Sequence, residues 1–286
     1  MPHFNRRPPF PKTSVQTVDG AGEPPKRVKQ TVEAFLVLDV EATCKQGTDF
    51  DYPNEIIEFP VCLMRWKDKG DGALASRLEV VDEFRTFVRP TWRPTLTEFC
   101  IELTGISQAQ VDSAPLFPEV LTRLEKFLMN HGLINEDGER LERFCWCSDG
   151  PYDVRDFIVK QCFISKSTVP SWMQGDVLDV RSLVLRWTRL QSPYDRTRSK
   201  KQNAKRPFAN LTSRQLNIAG QLKTLGLSHF EGRQHSGIDD TRNITRILAE
   251  LARKGIHLQP NAPVKVNKRW HWMGPRRGQI LEESLP

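Results

Sequence analysis

The hydrophobic pattern along the 286-residue chain changes period repeatedly, and each change marks an element. Residues 34–40, AFLVLDV, form a nearly continuous apolar run of strand length, as expected for a strand covered on both faces. EIIEFPVCLMRW (55–66) and LEVVDEFRTFVRP (78–90) predict two more strands. Pro60 has no N–H for a ladder, so it predicts a bulge or an edge position in the first of these. The Gly/Asp-rich KDKGDG between them reads as a hairpin-like connection, giving an antiparallel three-strand meander.

Beyond the meander the period becomes helical. TLTEFCIELTGI (95–106) predicts a short helix capped by Thr95 or Thr97. LFPEVLTRLEKFLMN carries apolar residues at 117, 120, 121, 124, 127 and 128, one helical stripe. RFCWCS (143–148) predicts a fourth strand and DVRDFIVKQCFI (153–164) a helix after it. DVLDVRSLVLRWTRL (176–190) starts as a strand and turns helical near Val180. Two helices follow, closed by Gly226 and Gly255. A meander followed by alternating helices and strands predicts an α/β fold, a mixed five-stranded sheet flanked by helices.

Composition narrows the class. With 38% hydrophobic and 27% charged residues the chain has an ordinary soluble balance. No apolar run approaches the ~18 residues of a membrane span, so no membrane partner is expected. The basic, proline-rich start lacks the apolar core of a secretory signal. Six cysteines without paired spacing read as reduced thiols of an intracellular protein, cytoplasmic, nuclear or both. Charge is uneven: residues 1–30 carry +4, the stretch 195–206 +5 and residues 261–286 +3, against a total of +7, so the remaining body is at −5. Basic appendages on an acidic body suit a polyanion gripped by arms while the centre binds cations. The domain reading is a disordered basic segment 1–30, a domain 31–259 with an exposed basic loop 195–209, and a basic tail 260–286.

The candidate chemistry starts from a conflict. Asp39 and Glu41 share one face of an apolar strand, where like charges repel and unpaired burial costs several kcal/mol, about a large fraction of a domain's stability. Asp149 ends the fourth strand in CWCSDG; His235 and Asp240 lie in RQHSGIDDTRN at the start of the last helix. Four carboxylates converging need divalent cations, and oxygen donors without cysteine suit Mg²⁺ or Mn²⁺. Two such ions about 3.5–4 Å apart serve in-line phosphoryl displacement, and a histidine can take the proton of the attacking water. The pattern points to phosphodiester hydrolysis.

LDVEATC, NEIIEFPV, LTEFCIELTGISQAQVD, SDG and HSGIDDTRNITRI resemble the DEDDh 3′–5′ exonuclease superfamily, in particular the histone-mRNA and RNA-interference-enhancing exoribonuclease branch with its prion-interacting relative. The resemblance spans about residues 33–258. It implies an RNase H-like fold, two Mg²⁺ ions (Mn²⁺ as a substitute), RNA as partner and release of nucleoside 5′-monophosphates from 3′ ends, in small-RNA turnover or in rRNA or histone-mRNA 3′-end processing. By motif it implies Asp39, Glu41, Asp149 and Asp240 as metal-binding acids and His235 as general base. Val40 and Ala42 would meet the terminal nucleotide, and Phe99, Trp146 and Tyr152 are candidates for base stacking. Lys200, Lys201, Lys205 and Arg206 of the basic loop, with Trp270 and Trp272 of the tail, are expected to grip the RNA body. The alternatives are a DNA 3′–5′ exonuclease and a catalytically inactive RNA-binding protein on the same fold.

Overall fold

The first apolar strand is the centre of the molecule because it is apolar on both faces. The computed structural model describes residues 25–191 and 216–285, and Lys200, Lys201, Lys205 and Arg206 of the expected basic loop lie outside these residues. Short β1 (Val28–Lys29) precedes β2 (Ala34–Leu38), β3 (Glu41–Ala42), β4 (Ile56–Trp66), β5 (Leu74–Ala75) and β6 (Leu78–Phe87). Then come α1 (Glu98–Thr104), α2 (Gln108–Asp112), α3 (Phe117–Asn130) and β7 (Phe144–Ser148). A widened π-type turn, Asp153–Ile158, runs into α4 (Val159–Ile164). The chain continues through β8 (Leu178–Asp179), α5 (Val180–Gln191), α6 (Ile218–Leu225) and α7 (Gly237–Arg253).

Among the described residues the main sheet has six strands, in the order β3-β4-β2-β7-β8 with β6 on β4. The sixth strand, relative to five expected, is β3, which the pattern reads as part of the first strand. β2 pairs antiparallel with β4 and parallel with β7. Its alternate residues feed two cores. Leu36 and Leu38 pack with Phe117, Val120 and Leu124 of α3; Phe35 and Val37 pack with Leu222 of α6 and Ile244 and Leu248 of α7. Helices therefore cover both faces of the sheet.

Pro60 departs from expectation. It sits inside β4, between β6 and β2, and the register shifts of β4 lie beside it, at Leu63/Met64 toward β6 and between Ile56 and Glu58 toward β3. The physical reason is a lapse in pairing: β2 ends on β4 at Leu38↔Val61, and β3 resumes at Glu41↔Glu58. On that side residues 59 and 60 face no partner, so a missing N–H breaks no ladder.

Two terminal expectations also change. Residues 28–29 form β1 and pair with Leu74–Ala75, so strand pairing includes residues before 31. Past residue 260, Trp270, Trp272 and Met273 pack with Val159, Phe163 and Ile164 into a core of their own. Trp270 and Trp272 are therefore buried braces and not an RNA grip. Their indole N–H groups donate to Asp51, Trp270 to the carboxylate and Trp272 to the backbone carbonyl. A buried aromatic lost from a packed site costs about 3–5 kcal/mol, so Trp272→Ala is expected to lower unfolding stability by about that amount. Exposed Lys265→Ala should stay within ~0.5 kcal/mol. Denaturant unfolding checks both; equal stability of the two variants would return the segment to the status of a loose tail.

Candidate active site

The pairing lapse after β2 creates the site. Asp39 and Val40 occupy the gap, and the first turn of α7 docks against it. A Cβ at Gly237 would stand 2.6 Å from the Asp39 carbonyl oxygen and 3.1 Å from Glu58 Oε2, so only glycine admits this approach. The Gly237 N–H donates to Glu58 Oε2 at 3.0 Å, and the buried Glu58 is held by Arg85 at 2.6 Å. On the other side the Val40 N–H donates to Asp153 Oδ1 at 3.0 Å. Strand and helix are thus tied together by carboxylates.

Asp39, Glu41 and Asp240 each bring a carboxylate oxygen within 4.8 Å of the other two. Glu41 and Asp240 are buried and Asp39 is partly so. Burial, reinforced by Asp153 and then Asp240, raises the Asp39 carboxyl well above its ordinary range. Burial and then Asp240 push Glu41 up to about 9. Asp153 and Asp240 are each pushed up to about 7, again first by burial. Among the described residues no salt bridge reaches Asp39, Glu41 or Asp240, while the Arg181 charge offsets part of the rise at Asp153. A crowded, oxygen-only donor set fits hard divalent cations, whose charge removes the repulsion.

Asp240 has a second task. It accepts from the N–H of Ser236 at 3.0 Å and from that of His235. His235 has φ +59°, the left-handed region unusual for a residue with a Cβ. The Arg233 guanidinium donates to its carbonyl at 3.1 Å and to the Glu102 carbonyl at 2.8 Å, tying the loop to α1. The exposed imidazole is thereby held at the rim of the cleft that the acids floor.

That cleft, about 820 Å³, is lined by Asp39, Val40, Glu41, Ala42, Asp149, Tyr152, Asp153, His235 and Asp240 together with Leu103 and Phe50. Asp149 reaches it already engaged: Arg181 donates to both its oxygens, at 3.0 and 2.6 Å, and Gln221 donates to Oδ1 at 2.7 Å. Such a bidentate clamp satisfies a carboxylate. Asp153, by contrast, weighs most among the charges on Asp39, and Asp149 least. Sequence reasoning passed over Asp153 because it read as the first residue of a helix; its signal was a second acid four residues after Asp149, beside an aromatic.

The stacking candidates divide. Tyr152 lines the cleft, whereas Trp146 is 2% exposed in the core, donating its N–H to the Trp172 carbonyl, so it cannot meet a base. Phe99 is exposed on α1 but lies outside the lining; Leu103, one turn on, takes that place. Lys160, also missed, is fully buried, with Nζ donating to the carbonyls of Phe50 and Tyr52 and to Asn54 Oδ1. Its signal was a lone lysine amid the apolar residues of 157–164.

Residues 36–167 match the exonuclease family model RNase_T. The 3′-5′ exonuclease eri1 of Schizosaccharomyces pombe is 33% identical over 90% of this chain and 78% of its own length. The 3′-5′ exoribonuclease 1 of Rattus norvegicus is 32% identical over 88% of this chain, which spans 60% of that protein. The nuclease domain of 3′hExo, a DEDDh family member bound to rAMP, superposes with TM-score 0.64 at 28% identity, covering 83% of this chain and all of that one. A 3′-exonuclease in 3′-end-specific recognition of a histone mRNA stem-loop gives TM-score 0.66 at 27% identity, over 84% of this chain and 70% of that one. With an RNase H-like sheet, a carboxylate cleft and a relative one-third identical over 90% of its residues, this chain belongs to the ERI1-type 3′–5′ exonucleases of the DEDDh family.

Proposed function

We propose that the protein is a Mg²⁺-dependent 3′–5′ exoribonuclease that releases nucleoside 5′-monophosphates by two-metal hydrolysis. The observation that carries this reading is the group of Asp39, Glu41 and Asp240 with oxygens within 4.8 Å, on a cleft rimmed by His235. Asp153 is proposed as the fourth acid in place of Asp149, whose oxygens are already taken by Arg181 and Gln221. Bound there, divalent cations supply charge neutralisation of the phosphoryl oxygens and a more acidic water. His235 takes the proton of the attacking water on a ring nitrogen. Asp240 holds that imidazole at the rim through the backbone of 235–236, and Asp149 stays a positioning residue that joins β7 to α5 and α6. The RNA relatives support RNA over DNA as substrate. Turnover of small RNAs or 3′-end processing of rRNA or histone mRNA, inside the cytoplasm or nucleus, is the setting proposed. No described helix is long and apolar enough to cross a membrane.

A 5′-labelled RNA incubated with Mg²⁺ is expected to shorten as a ladder from its 3′ end, with EDTA stopping the reaction. Asp39→Asn and Asp153→Asn should each lower kcat by at least ~10³-fold, as loss of a charge-stabilising group does. Asp149→Asn should cost less than Asp153→Asn; the reverse order would restore Asp149 as the metal acid. DNA cleaved in preference to RNA would favour the DNA exonuclease reading, and binding without a ladder the inactive one.

The raised carboxyls also set a pH dependence. Asp153 and Asp240 hold their protons more tightly folded (about 7) than unfolded (~4). Their protonated forms therefore favour folding at low pH, and that stability is lost as pH rises from ~4 through 7. Glu41 extends the loss toward 9. Metal-free protein should melt progressively lower from pH 5 to pH 8, and Mg²⁺ or Mn²⁺ should raise Tm more at pH 8 than at pH 6. A metal-induced shift independent of pH would separate the cation from these acids.

A further inference from the structure

Among the apolar residues that line the cleft, one large side chain is left exposed. Phe50 is 61% exposed, yet it lines the cleft. Its ring lies on Tyr152, centroids 5.6 Å apart and planes within 13°, and meets Phe157 edge-on at 5.9 Å. An exposed phenyl forgoes burial, and here the loop beneath it is fixed. Lys160 Nζ donates to the Phe50 and Tyr52 carbonyls, each at 2.9 Å, while Trp270 and Trp272 hold Asp51 between them. Three consecutive residues are thus anchored from below by buried donors. The ring is held out in a set position.

The same flank carries both signs of charge, Arg155 and Lys268 lining it together with Asp49, Asp51 and Asp156. Arg155 stands 4.9 Å over the Tyr152 ring and pairs with Asp156 at 2.7 Å; Lys268 pairs with Asp156 at 2.8 Å. With Asp49 and Asp51 on either side of Phe50, these cations are matched by carboxylates, and the exposed ring face is the feature that sets this flank apart. Rings that offer a π-face are the chemistry that takes a nucleobase. The carboxylates fix where the scissile phosphate must lie, and a ring platform beside them serves a nucleotide next to that phosphate.

We propose that Phe50, backed by Tyr152, is a stacking platform for the base of the nucleotide 5′ to the one being released. This rests on the reading of the cleft as an RNA 3′-end site. The Trp270–Trp272 brace then acts on the reaction at one remove, by holding the loop that presents the ring.

The test uses the full chain and single-stranded RNA with 2-aminopurine at the penultimate position, in Ca²⁺ to hold the complex without turnover. The wild type is expected to quench the fluorescence on binding. Phe50→Ala should lose the quench and weaken RNA binding about tenfold, a typical cost for one lost stack, while Phe50→Trp retains both. In Mg²⁺, an abasic penultimate residue should lower kcat/KM for the wild type and have no further effect on Phe50→Ala. A quench that survives Phe50→Ala, an effect that appears only with the terminal base labelled, or two losses that multiply would each overturn the platform. A wild type that neither binds nor trims RNA would instead sink the exoribonuclease reading itself, a result distinguishable from normal trimming by Phe50→Ala.

Discussion

The structure depends on the place where strand pairing lapses after Leu38. For two residues the central strand is neither in the sheet nor in a loop. Its backbone is held by Asp153 on one side, and its edge is met by the glycine-led start of α7 on the other. An unbroken strand would have placed Asp39 and Val40 in a ladder with β4 and left no room for the helix. The lapse lets three separate elements, β2–β3, the π-type turn and α7, bring carboxylates to one point. It also explains why β4 tolerates a proline at its centre.

Crowding acids in this way works against folding, and the surroundings restrain it. Asp149 is neutralised by Arg181, Glu58 by Arg85, and Asp156 by Arg155 and Lys268, so the ionisable groups around the centre are paired. Asp39, Glu41 and Asp240 at the centre itself are not, and burial holds their protons at a pH where free carboxyls are ionised. The strain is left where a divalent cation relieves it. The left-handed backbone of His235 belongs to the same economy of position, since Asp240 serves the metal cluster and the histidine loop at once.

Much of this was legible in the sequence, for identifiable reasons. The doubly covered strand, the meander and the last helix follow from hydrophobic period alone, and the Asp39/Glu41 conflict signalled a charge-bearing site before any fold was known. The choice between Asp149 and Asp153 was not legible. Both flank Gly-Pro-Tyr, and only the fold reveals that Arg181 and Gln221, 32 and 72 residues further on, claim the first. Trp146 misled because an aromatic next to a catalytic acid looks like a stacking group, whereas strand alternation points it into the core. The 261–285 segment looked like a basic tail because its two tryptophans are isolated in sequence; their partners are in α4 and in the loop around Asp51.

The central claim is that Asp39, Glu41, Asp153 and Asp240 form one divalent-cation centre. Crystals grown or soaked with Mn²⁺ and measured for anomalous scattering test it most directly. The account predicts manganese among these four carboxylates, with Asp149 still clamped by Arg181. Manganese bound by Asp149 and not by Asp153, or none at this cleft in crystals that were saturated with it, would contradict it.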